Sequence, residues 1–223
     1  MHYNKRFAIR LLNMVSGVFL YAFGIAMTIK ANIGYAPWEV FHVGLALTTG
    51  MTIGAASIIA GIAVVVLVTA LGEKFGLGTL ASMILTGVFI DIVLWLDFIP
   101  VAKNFLAGIV MLFAGLFIIS LGSYFYMKSA FGVGPRDNLM VALTRKTKIP
   151  VGLCRSTVEL LMTFAGWLLG GKAGIGTIIS MFAIGFCIQI TFQALKFDVT
   201  AINHETLSDT YTALKNQQKE RGK

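Results

Sequence analysis

Charge is what this chain has least of. Of its 223 residues only 13% are Asp, Glu, Lys or Arg, about half the share of a soluble domain. So few charges cannot cover a water-facing surface, which excludes an ordinary soluble fold. There are two cysteines, Cys154 and Cys187. Both fall inside apolar runs, which excludes a disulfide framework and a cysteine zinc site. The three histidines, His2, His42 and His204, are scattered and share no metal-binding spacing. No nucleotide-binding glycine loop, Ser-His-Asp order or paired-carboxylate motif occurs, so no catalytic residue, metal or cofactor is nominated and a non-enzymatic role is expected.

Apolar residues are abundant instead. They make up 57% of the chain, with a mean hydropathy of +0.83, and the surface they form must face lipid. The formal charge of +8 does not mark a nucleic-acid binder. The basic residues lie between apolar runs and at the ends, where they read as topology signals and contacts to anionic lipid. The basic N-terminus precedes an apolar run too long for a signal peptide, with no small-residue cleavage site, so a retained first span is expected.

The chain also repeats itself. Shifted by 98 residues, Gly17–Ile92 aligns with Gly115–Ile190 without a gap, and 21 of 76 positions are identical. Composition alone would give about six. Eight matches are glycines, and Pro37 matches Pro135. Apolar runs at roughly 11–30, 53–71, 77–96, 104–127, 151–169 and 175–195 predict six membrane-crossing helices. Two shorter segments, 37–49 and 135–147, each open with proline and are too short to cross. The expected fold is an all-α polytopic membrane protein of six transmembrane helices. They form two three-helix repeats, 1–98 and 99–197, each with one short re-entrant or interfacial helix, followed by a short tail, 198–223. An odd number of spans per repeat inverts the second copy, a plan common among secondary transporters. Lys5, Arg6 and Arg10, then Arg136, Arg145, Lys146 and Lys148, then Lys196 and the tail fall on one side. The positive-inside rule makes that side cytoplasmic, with both termini inside.

Three sets of residues are candidates for function. The first is Gly34-Tyr35-Ala36-Pro37-Trp38-Glu39 and its twin Gly132-Val133-Gly134-Pro135-Arg136-Asp137. Proline suits the first helical position, and an acid in the first turn complements the helix dipole. Two such helices dipping in from opposite faces would aim their N-termini at a central ligand and favour an anionic group. The alternative is a pair of flat interfacial helices anchored by Trp38. The second set is the turn glycines Gly76, Gly78, Gly174 and Gly176, each pair followed by a threonine; with Gly34, Gly132 and Gly134 they are hinge or turn positions. The third set is polar residues within the spans: Asp91, Arg155, Glu159 and Gln189. Arg155 and Glu159 lie one turn apart and can pair on one helix face. Intramembrane ionisable groups mark functional sites by default, and Asp91 and Glu159 are candidates for proton coupling. His42, midway along the first short segment, completes the substrate-path candidates.

With these motifs in place, the chain resembles the YczE/YitT-like family of bacterial integral membrane proteins over roughly residues 5–196. The resemblance implies a bacterial cytoplasmic membrane protein. Through a genomic link to pyridoxal-phosphate-type regulators, it brings vitamin B6 compounds into view as solutes. It carries over no catalytic residues. The expected function is secondary transport of a small solute, anionic or vitamin-like, by alternating access of inverted repeats, alone or as a homodimer. The alternatives are a non-transporting accessory or regulatory membrane protein, or the substrate-capture subunit of a multi-component vitamin importer. The expected partners are the lipid bilayer and a small-molecule solute, with no nucleic acid.

Overall fold

A computed structural model describes residues 2–73, 75–132, 134–149 and 151–197. Lys74 of the turn motif and the 198–223 tail lie outside the described residues. The described chain is all helical. Its order is α1 (His2–Lys30), α2 (Pro37–Thr49), α3 (Ile53–Ala70), α4 (Leu77–Leu96), α5 (Phe105–Lys128), α6 (Pro135–Thr147), α7 (Val151–Leu168) and α8 (Ile175–Ala194). The first helix starts earlier than the apolar run at residue 11 suggested, because the basic residues before it continue the helix.

Local chemistry sets the helix ends. Thr52 and Asn104 cap α3 and α5 by accepting from the amides of Ala55 and Ala107. The turn threonines work backwards: Thr79 Oγ1 accepts from Gly76 N and Thr177 Oγ1 from Gly174 N. The short helices α2 and α6 both open on proline and close on a left-handed residue, Gly50 and Lys148.

Among the described helices, five are long and apolar enough to cross a membrane: α1, α3, α4, α5 and α8. Six were expected. The seventh helix has the required length, but Arg155 and Glu159 within it reduce its apolarity. Large apolar side chains cover the exterior, with Trp95 83%, Leu106 73% and Phe182 67% exposed. This surface requires contact with a lipid bilayer.

The centre of the bundle is the antiparallel pair α1 and α5. Glycines let the two backbones touch: a Cβ at Gly17 would sit 2.4 Å from Tyr126 N, and one at Gly24 2.7 Å from Gly115 O. Helix α4 packs on α1 and α8 on α5, while α2 packs on α7 and α6 on α3. These are matching contacts under the 98-residue offset. The loops match as well. Gly78 N donates to Phe131 O at 3.1 Å, and Gly176 N donates to Ile33 O at 2.8 Å. Gly34 and Gly132 have φ of 112° and 149°, and each lies against the opposite turn, at Gly174 and Thr79 respectively. Any side chain there would be both strained and obstructed.

One match fails. Helix α3 packs along α4, but α7 makes no comparable contact with α8. At Gly87 of α4 a Cβ would meet Ile58 Cγ1 at 2.5 Å and Gly54 O at 2.6 Å, whereas at its twin Gly185 of α8 nothing lies within 4 Å.

Candidate functional site

The two short helices meet head to head in the interior. Their proline-led first turns bring Arg136 of α6 to Glu39 of α2, with Nη2 donating to Oε1 at 3.2 Å. The same guanidinium lies over the Trp38 ring at 4.7 Å. Trp38 is only 6% exposed and Glu39 only 3%. The expectation of a flat helix with Trp38 as an interface anchor is therefore corrected. A tryptophan held under an arginine in the interior cannot serve at the lipid headgroups.

A cavity of about 160 Å³ opens where these N-termini meet, and all eight helices contribute to its wall. Pro37, Trp38, Glu39 and His42 line it from α2, and Pro135, Arg136, Asp137 and Met140 from α6. Arg155 and Glu159 enter from α7, paired as the i,i+4 spacing predicts, with Nε donating to Oε1 at 2.9 Å. Asp137 accepts from the Tyr126 hydroxyl at 2.9 Å. His42 is 1% exposed, and its Nδ1 has no hydrogen-bond partner among the described residues. No group of three metal-ligating side chains occurs among the described residues.

The wall follows the repeat closely. Of its 29 residues, 24 fall into twelve pairs separated by 98 positions, from 18/116 through 37/135, 39/137, 57/155 and 61/159 to 86/184. Random placement would leave most of them unmatched, so the cavity lies between equivalent surfaces of the two halves. The twins are not chemically equal. Ser57 faces Arg155, Gly61 faces Glu159, and Trp38 faces Arg136.

Two candidates lie elsewhere. Asp91 does not line the cavity. Its Oδ1 accepts from Gly54 N at 2.8 Å and its Oδ2 from Thr52 Oγ1 at 2.5 Å, tying α4 to the start of α3. Gln189 is exposed on α8. Of the turn glycines, Gly134 lines the cavity, while Gly34, Gly76, Gly78, Gly132, Gly174 and Gly176 form the two loop-to-helix contacts outside it. Sequence reasoning missed Tyr21, Tyr126 and the hydroxyls of Ser57, Ser82, Thr86, Ser123 and Ser180, all of which line the wall. The matched pair Ser82/Ser180 was the one available signal, since small polar residues kept in both copies of an apolar helix ask for a reason.

Comparison with known proteins agrees with this architecture. The model of a family of unknown function, DUF6198, matches residues 8–193. The chain is 35% identical over 192 residues to the uncharacterized membrane protein YczE of Bacillus subtilis, covering 82% of this chain and 87% of that one. It is 30% identical over 166 residues to an uncharacterized protein of Haemophilus influenzae, covering 74% and 75%. It is 26% identical over 179 residues to the uncharacterized protein YyaS of Bacillus subtilis, covering 78% and 88%. No solved structure matches significantly.

Proposed function

The chain belongs to this YczE-like membrane family, and we propose that it is a secondary transporter of a small solute, working by alternating access. In this reading α7 crosses the membrane as a sixth span despite its charges, because Arg155 and Glu159 neutralise each other and face the cavity rather than lipid. The halves 1–98 and 99–197 are then inverted copies. The helix N-termini at Pro37 and Pro135 approach from opposite faces, and both chain ends are cytoplasmic in a bacterial plasma membrane.

The observation that carries the proposal is the twelvefold pairing of the cavity wall. A site formed by equivalent surfaces of two inverted halves can be exposed to either side by exchanging their conformations. The unequal packing of α3–α4 and α7–α8 supports the same mechanism. One half has its helices closed together and the other has them apart, as expected of one end state of such an exchange.

The test is two-sided access. With Cys154 and Cys187 replaced by alanine, Ser180→Cys is challenged in right-side-out and inside-out vesicles with a membrane-impermeant thiol reagent. Labelling from both sides is expected. Labelling from one side under every condition would contradict the proposal.

A further inference from the structure

We infer that the cavity binds a small organic cation, an amine with a short apolar body, through the carboxylate of Asp137. The inference rests on the solute-binding reading above and specifies its substrate class. It departs from the anionic ligand that bare helix N-termini would suggest.

The first argument is the charge inventory. The wall holds three carboxylates, Glu39, Asp137 and Glu159, and two guanidiniums, Arg136 and Arg155. With His42 neutral the sum is 2 − 3 = −1. Both guanidiniums are committed, Arg136 to Glu39 and Arg155 to Glu159. Asp137 makes no ion pair; its hydrogen bond comes from the neutral Tyr126 hydroxyl. A carboxylate in such a site requires a positive partner. The helix ends do not call for an anion either, because Glu39 and Asp137 already place a negative charge in each first turn.

The second argument is the direction of the hydroxyl protons. Ser82 and Ser180 donate to the carbonyls of Thr79 and Thr177, Thr86 donates to Ser82 O, and Ser123 donates to Ile119 O. Each spends its proton on its own helix and is left with oxygen lone pairs. The wall therefore offers acceptors, which suit the three donors of an ammonium group and repel a carboxylate or phosphate. Buried His42, with Nδ1 unpartnered, adds a polar atom without a partner in the protein. The rest of the wall is apolar and aromatic, suited to a hydrocarbon body.

The test uses the purified full-length protein in detergent with two four-carbon probes of opposite charge, n-butylammonium and butyrate. Binding is measured by calorimetry and by thermal shift. Butylammonium is expected to bind and raise the melting temperature, and butyrate is not. Asp137→Asn should weaken butylammonium at least tenfold, while Tyr126→Phe, which keeps the carboxylate, should weaken it less. Butyrate binding in place of butylammonium overturns the inference, as does absence of butylammonium binding to the wild type. Unchanged binding by Asp137→Asn overturns it as well. The wild-type comparison stands whether or not the variants fold. The two-sided labelling of Ser180→Cys uses no ligand. Its success alongside a failure here would remove the cation and leave the transport proposal intact.

Discussion

Gly87 and Gly185 occupy equivalent positions in the two halves and should respond oppositely to the same methyl group. At Gly87 the new Cβ would lie 2.5 Å from Ile58 Cγ1 and 2.6 Å from Gly54 O. A backbone oxygen in a packed helix cannot withdraw, so the overpacking costs about 1–3 kcal/mol. At Gly185 nothing lies within 4 Å, and the helix gains up to about 1 kcal/mol from replacing glycine with alanine. Gly87→Ala should therefore lower the unfolding free energy in detergent, and Gly185→Ala should hold or raise it. The functional consequence runs the other way for Gly185. If the halves exchange conformations, Gly185 must enter the tight position that Gly87 holds now. The methyl group then penalises that opposite state by about 1–3 kcal/mol, which lowers its population by about 5- to 150-fold. Gly185→Ala should be stable yet slow to expose the cavity to the second side in the vesicle-labelling assay. Equal destabilisation by both substitutions, or normal two-sided labelling of Gly185→Ala, would refute the reasoning.

Other predictions follow from the same contacts. Glu39→Gln or Arg136→Gln alone leaves a buried charge without its partner and should cost about 3–5 kcal/mol, whereas the double substitution should recover part of that loss; thermal melts of the three variants check it. Asp91→Asn keeps the shape but removes the charged acceptor for Thr52 and Gly54, and should lower stability by about 1–2 kcal/mol in denaturant titrations while leaving ligand binding in place. Gly17→Ala drives a Cβ to 2.4 Å from Tyr126 N and should cost about 1–3 kcal/mol by the same measurement.

Much of the helical framework is legible in the sequence because lipid imposes a length and an apolarity on each crossing segment. Each of the six apolar runs lies along a helix, and Pro37 and Pro135 mark the first residues of α2 and α6. The Arg155–Glu159 pair is legible for the same reason, being local to one helix face. What depends on distant parts of the chain is not. Asp91 looks like an intramembrane carboxylate waiting for a proton, and it is instead a tie to the start of another helix. Tyr21 and Tyr126 sit in apolar runs with nothing nearby to mark them as cavity residues. The asymmetry of the two halves is the least legible feature, because Gly54/Gly152 and Gly87/Gly185 are identical pairs in the sequence. Identical contact surfaces that are closed in one half and apart in the other are a property of conformation, not of composition.

The central claim is that the two halves exchange these arrangements, and paired cysteines test it most directly. In a chain with Cys154 and Cys187 replaced by alanine, Ile58→Cys with Gly87→Cys bridges the contact that is closed now, and Ser156→Cys with Gly185→Cys bridges its equivalent 98 residues on. Both pairs should cross-link in native membranes, and in a chain carrying all four cysteines, formation of one bridge should prevent the other. Failure of the 156–185 pair to cross-link, or formation of both bridges in one molecule, would contradict the account.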